Sequence, residues 1–436
     1  MKNKRALVLC GGGAKGGYHI GVWKALKEVK YVPQIITGTS VGALNGALFS
    51  IGEDKIANDI WENMNMETVF EKKEDEDINS IKSVNEFWMK LGKFGGIDPK
   101  PLKALSRSLG DEEKFRNTNV EFGLVTTCLK PLKKVEKFVD EMEYGKVVDY
   151  ILASTACFPI MQKYNIDGVD YIDGGYTDNL PFDMALRRGA TELVIVDMHG
   201  MFRINKPEDV NVKVHYISPT RELGNFMLFN QEQSQKNIKL GYLDTLKMFG
   251  ELEGTYYTLE SGTVARTNEY NDICKSVYKR VFTDLPKVSP LEKLAHKTFY
   301  KYLNGYNIDV FSTTNNVVDI LEIAAELFEI DPYEIYSFEE LLGKVVGEYQ
   351  KIIKDDGYIK RMSIKEIRKS ITSFAELKNI VTSYDKKELT AYMVYLLSMD
   401  KISMIQKNQI LAVTAIWPEC LCAAIAIVNA TNFGID

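Results

Sequence analysis

Hydrophobic positions follow two regimes along the chain. Up to about residue 220, short continuous apolar runs alternate with glycine turns and helical patterns. Residues 5–10 (RALVLC) are the first such run, and their unbroken apolarity predicts a strand buried on both faces of a parallel sheet. Glycines at 11–13 and 16–17 follow, then Tyr18, Val22, Leu26 and Val29 at near-helical spacing. A second strand over 34–37 runs into Gly38-Thr39-Ser40-Val41-Gly42, and a helix rich in small residues covers roughly 41–51. Strand, glycine turn and helix, repeated, predict an α/β domain. Further strands are expected at 120–128, at about 135–139, at 193–197 and at 214–217, with helices over 146–155, 182–188 and 225–252.

Residues 52–118 read as mainly helical and polar, placed where a lid or insertion could lie. The charged run 71–77 (EKKEDED) within them predicts a solvated loop or helix face. From about 220 onward β-signals nearly vanish, and 255–436 is a succession of helical patterns punctuated by Pro286, Pro290, Gly305, Pro332, Gly357 and Pro418. Two domains are therefore expected, 1–250 and a mainly helical 251–436, with a boundary near 250–255. The apolar stretch 410–430 approaches membrane-span length, but Pro418 and Glu419 interrupt it. A charge at the bilayer centre is costly, so a buried or interfacial helix pair is favoured over a span.

Composition narrows the function classes. With 436 residues, 45% of them hydrophobic, the chain can bury a full core and carry an accessory domain. A net charge of −6 and the lack of a long Lys/Arg run argue against nucleic acid as partner. Six cysteines, mostly inside apolar stretches and with no metal-ligand spacing, exclude a disulfide framework and argue against a zinc site. The apolar run 6–10 is too short for a secretory signal, so a cytoplasmic protein, peripheral to a membrane at most, is expected.

Gly11, Gly13 and Gly16 satisfy the dinucleotide-binding pattern G-x-G-x-x-G between strand and helix. That reading requires an acidic residue at the end of the second strand, and the strand ends instead in Ile36-Thr37-Gly38. The loop's other use is to converge backbone amides on an anion at a helix N-terminus, such as the oxyanion of ester hydrolysis. Lys15 would add charge there or stabilise the loop.

Gly38-Thr39-Ser40-Val41-Gly42 matches the strained strand-to-helix elbow that exposes a nucleophilic serine, with Gly42, Ala43, Gly46 and Ala47 small enough for close packing. The Val41 amide would then be a second oxyanion donor. A serine nucleophile needs a base. Among His19, His199, His215 and His296, only His199, following a strand, has a suitable position in the chain. Asp173, in the turn Tyr171-Ile172-Asp173-Gly174-Gly175, is the other candidate, able to take the proton directly. Taken alone, Asp-Gly is a common turn.

Together these residues resemble the patatin-like phospholipase family. GGGAKG at 11–16, GTSVG at 38–42 and DGG at 173–175 stand in the family's order, and Ala153-Ser154-Thr155-Ala156 with Pro159, and Asp178-Asn179-Leu180-Pro181, are also similar. The resemblance covers about residues 5–185 and implies a three-layer α/β/α fold with a mainly parallel sheet. It implies that Ser40 is the nucleophile and Asp173 the base, with Gly11, Gly12, Gly13, Lys15, Gly16 and Val41 at the oxyanion and Gly38, Gly42, Gly174 and Gly175 shaping the turns. The implied substrate is a phospholipid or other lipid ester reached by transient membrane contact, with no cofactor and no metal. A Ser-His-Asp esterase using His199, and a binding module without catalysis, are the competing readings.

Overall fold

The computed structural model describes residues 4–70, 96–108, 111–199, 212–282, 289–305, 316–354 and 374–430. The acidic run 71–77 lies outside them. The chain divides into two compact units, Met1–Phe249 and Gly250–Asp436.

The first unit is built on an eight-stranded sheet in the order β5-β6-β3-β2-β1-β7-β8, with β4 also paired to β3. Its strands are β1 (Arg5–Leu9), β2 (Ile35–Thr39), β3 (Glu121–Cys128), β4 (Lys133–Phe138), β5 (Tyr164–Ile166), β6 (Val169–Asp173), β7 (Glu192–Val196) and β8 (Lys213–Ile217). Five of them (β3, β2, β1, β7 and β8) run parallel, and β4, β5 and β6 supply the antiparallel pairings. In β1, Ala6, Leu7, Val8 and Leu9 have no exposed surface. Burying such Leu and Val side chains stabilises by roughly 1.5–3 kcal/mol each, which is why the run is apolar at every position rather than at alternate ones.

The helices of this unit are α1 (Gly17–Glu28), α2 (Val41–Ser50), α3 (Asp54–Glu62), α4 (Met66–Val69), α5 (Lys100–Ser108), α6 (Glu112–Asn117), α7 (Val147–Ser154), α8 (Phe182–Arg187) and α9 (Gln231–Phe249). Successive β3 residues show that the sheet is covered on both faces. Phe122 meets Gly46 of α2, whereas a side chain at Gly123 would meet Met184 of α8. Neighbouring strand residues point to opposite faces, so α2 and α8 lie on opposite sides of a three-layer α/β/α arrangement. Glycines let α1 and α9 approach closely: side chains at Gly21 and Gly241 would strike the opposing helix backbone.

One strand pair differs from the expectation. Tyr164–Ile166 and Val169–Asp173 form a hairpin closed by Asp167 and Gly168, both with positive φ (49° and 85°). That is the two-residue loop that Asp-Gly favours, because it matches the twist of the flanking strands.

The second unit is helical around one apolar cluster. Its helices are α10 (Thr263–Thr267), α11 (Asn271–Val281), α12 (Pro290–Gly305), α13 (Asn316–Leu327), α14 (Phe338–Ile353), α15 (Phe374–Thr382), α16 (Lys386–Leu397), α17 (Met404–Ile416) and α18 (Pro418–Val428). β-structure does not vanish here: β9 (Leu252–Glu253), β10 (Thr258–Glu260) and β11 (Ile335–Tyr336) form a small sheet. The apolar stretch 410–430 is two helices broken at Trp417–Pro418, with Cys420 to Ala424 wholly buried. Proline at the first position of a helix lacks only an amide that would be unpaired anyway. Among the described residues, no helix is long and apolar enough to cross a membrane.

Candidate active site

The strand register brings the candidate residues together. β4 occupies one edge of β3 from Gly123 to Cys128, so the other edge is left for β2 and β6. Along that edge β2 arrives parallel, its last residue Thr39 opposite Val125. β6 arrives antiparallel, its last residue Asp173 opposite Thr126. The two strand ends therefore meet at adjacent β3 positions, and Ser40 comes within reach of Asp173. The Ser40 hydroxyl donates to Asp173 Oδ2 at 2.6 Å.

Ser40 has φ 55° and ψ −126°, a backbone conformation that holds roughly 1–3 kcal/mol of strain in a non-glycine residue. The two glycines of the elbow permit it. A side chain at Gly38 would collide with the Gly42 backbone, and one at Gly42 with the Leu9 and Cys10 carbonyls. The turn is thus clamped between β1 and the start of α2. The Ser40 amide donates to Ser154 Oγ at 2.9 Å.

Asp173 is 2% exposed. Its Oδ1 accepts the Gly175 amide at 2.8 Å and its own amide donates to the Ala156 carbonyl at 2.8 Å. Burial raises its pKa from 3.8 to about 6, opposed by the hydrogen bonds from Ser40 and Gly175. Gly174 packs against Val125 of β3, where any side chain would collide.

The glycine loop leads from β1 into a short 3-10 turn, Gly13–Gly16, and then α1. Gly11 sits beside Ser40: a Cβ there would be 3.1 Å from Ser40 Cβ. Its amide donates to Asn179 Oδ1 at 3.1 Å. Among the described residues, no acceptor meets the amides of Gly12, Gly13 or Val41. Gly13 has φ 56°, and a side chain on it would collide with the Phe226 carbonyl, which already accepts the Ala14 amide at 2.7 Å.

Lys15 and Gly16 stand apart from this group. The Lys15 ammonium donates to the Met198 and His199 carbonyls, each at 3.3 Å. Gly16 lies against Trp61 and Val41 in the packing below the loop. His199 has φ 50°, its amide bound to Asp197, and it does not line the cleft at Ser40.

That cleft is floored by Gly11 to Gly13, Ser40, Val41 and Asp173. Its walls are mainly apolar: Leu44 of α2, Trp61 of α3, Val69 of α4 and Phe70 after it, Leu102 of α5, Ile160 and Met161, and the segment Phe226, Met227 and Phe229. None of these wall residues was legible as such in the sequence; the apolar NFMLF run at 225–229 is the one local signal. Trp61 is fixed by a bond to Asn45 Oδ1 at 2.8 Å, and Asn45 also donates to the Gly16 carbonyl. No group of His, Cys, Asp and Glu among the described residues could hold a metal ion. A hydroxyl bound to a buried carboxylate, beside open amides and an apolar wall, has the components for nucleophilic attack on an apolar ester.

Comparison with known proteins agrees with the resemblance read from the motifs. Residues 7–186 match the family model for patatin-like phospholipase. Lysophospholipase NTE1 of Candida glabrata is 28% identical over 193 residues, 44% of this chain and 10% of that one. Patatin-like phospholipase domain-containing protein 6 of Homo sapiens is 30% identical over 209 residues, 45% of this chain and 13% of that one. The chain thus corresponds to a small part of these relatives. The crystal structure of VipD from Legionella pneumophila aligns over 95% of this chain and 92% of that one at 13% identity, with a TM-score of only 0.39. Residues 7–186 of the chain are thus similar to the patatin-like phospholipase family.

Proposed function

We propose that the N-terminal unit hydrolyses carboxylic esters of lipids, phospholipids or lysophospholipids among them, with Ser40 and Asp173 as a dyad. The observation that carries the proposal is the 2.6 Å bond from Ser40 Oγ to a buried carboxylate at the floor of an apolar cleft. Ser40 Oγ attacks the ester carbonyl carbon and Asp173 takes its proton. The carbonyl oxygen, now an anion, is held by the open amides of Gly12, Gly13 and Val41. Asp173 returns the proton to the departing alcohol, leaving the acyl group on Ser40. It then takes a proton from water, whose oxygen attacks the acyl carbon; the bond from that carbon to Ser40 Oγ breaks, Asp173 passes the proton to Oγ, and the fatty acid leaves with both residues restored. The raised pKa of Asp173 suits both directions of transfer, since a carboxyl near 6 takes and gives protons close to neutral pH.

The name of the NTE1 relative favours lysophospholipid, and the apolar walls favour an acyl chain over a short polar ester. Substrate would enter from a membrane surface, and the reading requires neither cofactor nor metal. A fluorophosphonate probe tests it directly. Wild type should label at Ser40 and release fatty acid from a lysophospholipid panel, whereas Ser40→Ala should do neither. Full labelling of Ser40→Ala, or hydrolysis by His199→Ala reduced as far as by Ser40→Ala, would overturn the dyad.

A further inference from the structure

Ser154 touches Ser40 from behind the cleft. It is the last residue of α7, has no exposed surface, and does not line the cleft. Its hydroxyl donates to the Val125 carbonyl at 2.6 Å and accepts the Ser40 amide at 2.9 Å. Two residues on, the Ala156 carbonyl accepts the Asp173 amide at 2.8 Å. The segment 154–156 therefore grips the backbone of both candidate catalytic residues. Val125, which orients the Ser154 hydroxyl, is also the residue against which Gly174 packs.

Nearby buried hydroxyls do a different job. Thr37 and Thr39 donate to the Pro181 and Asp178 carbonyls, and Thr126 to the Ile172 carbonyl, so each ties its strand to another segment without bonding to Ser40 itself. Only Ser154 among them meets the residue with the strained backbone. A strained elbow persists only where its surroundings over-determine it. An anchored acceptor on the Ser40 amide is such a constraint, and it acts on the backbone that aims Oγ at Asp173.

We infer that Ser154 is a positioning residue for the proposed reaction: its hydroxyl, anchored on β3, holds the Ser40 amide and thereby sets the Ser40–Asp173 hydrogen bond. The inference rests on the dyad proposal. It differs from a role in stability alone, because loosening the elbow should change the chemistry at Ser40 beyond any change in folding.

The test compares Ser154→Ala with Thr245→Val, which removes another wholly buried hydroxyl bond, Thr245 to the Gly241 carbonyl within α9. The measurements are the rate of fluorophosphonate labelling at Ser40 across pH and the thermal unfolding temperature. Ser154→Ala should label roughly 10- to 100-fold more slowly, the scale of a small misplacement of reacting groups. Its acid limb should move to higher pH, because the Ser40 hydrogen bond lowers the Asp173 pKa and would be weakened. Thr245→Val should unfold at a lowered temperature yet label as wild type. Should Ser154→Ala not fold, Ser154→Cys supplies a weaker acceptor of similar size and should label at an intermediate rate. A folded Ser154 variant with wild-type rate and pH profile would overturn the positioning role and leave the dyad standing. Wild type that does not label at Ser40 would overturn the dyad and this inference with it.

Discussion

The two units differ in what their buried polar side chains hold together. In the helical unit several are satisfied within one turn: Thr390 bonds to the Lys386 carbonyl, Thr414 to Ile410 and Asn429 to Ile425. In the sheet unit the bonds at the site join residues more than a hundred positions apart: Ser40 and Asp173, Ser154 and Ser40, and Asn179 and Gly11. A local bond leaves a helix as it would be anyway. A long-range bond fixes where one segment stands against another, and these three meet at or beside one strained turn. The difference teaches that buried polarity alone does not mark a site; convergence of long-range bonds on one turn does.

The largest effect that could break this comparison is at Asp173. Asp173→Asn should lower ester hydrolysis by about 10³-fold or more, the scale of losing a member of a catalytic unit. Its unfolding temperature at neutral pH should not fall, because the neutral amide avoids burying a charge. Parallel assays of turnover and unfolding check the split, and a variant that is active, or inactive only through unfolding, refutes it.

Gly13→Ala comes next. It forces a methyl group into the Phe226 carbonyl at φ 56°, and should cost about 1–3 kcal/mol of stability together with most of the labelling at Ser40. Denaturant unfolding and probe labelling read the two effects separately.

The pH response should separate the units further. Labelling should rise with pH through about 6 as Asp173 ionises and can accept the Ser40 proton. In the helical unit Asp319 is held up to about 7 by burial and by Glu322 beside it. Both carboxyls have folded pKa values above their ordinary 3.8. Ionisation therefore favours the unfolded chain, and the stability they lend at low pH is lost between about 4 and 6 for Asp173 and about 4 and 7 for Asp319. Asp319→Asn should flatten that loss across pH 4–7 without moving the labelling profile; unfolding scans at several pH values show whether it does.

The smallest expected effect is Thr414→Val, which removes one local bond and keeps the side-chain volume. Its stability should change by about 1 kcal/mol or less, with labelling unchanged. A large loss of labelling would mean that local polar bonds in the helical unit do matter to the site.

Legibility in the sequence followed the same division by reach. The glycine loop and the elbow were readable because strand, glycines and helix are consecutive, so local sterics alone define them. The α/β class and the helical second half were readable from periodicity. What lay hidden was non-local. No local pattern states that Thr39 and Asp173 face neighbouring β3 residues, nor that Ser154 accepts the Ser40 amide. The segments around Ser154 and Asn179 stood out by family likeness only, without a role attached. Lys15 suggested charge at the oxyanion by adjacency, yet the 3-10 turn carries its ammonium to the Met198 and His199 carbonyls. The hairpin at 164–173 has a local signal in Asp167-Gly168. Strands of two or three residues in the helical unit are shorter than any periodicity can register.

The pairing of β7 with β1 bears on how the family segment could be handled in isolation. The match ends at residue 186, one residue before α8 ends and before β7 begins. A fragment cut there would expose the ladder of β1, a strand apolar from Ala6 to Leu9 and now covered on that side from Arg5 to Leu9. Such an open edge recruits other chains into intermolecular sheets. The fragment would also lack Phe226, whose carbonyl steadies the glycine loop at Ala14. The stretch that carries the recognisable motifs is therefore smaller than the stretch that folds, and an expression boundary drawn from the motifs would invite aggregation at the very strand that feeds the site.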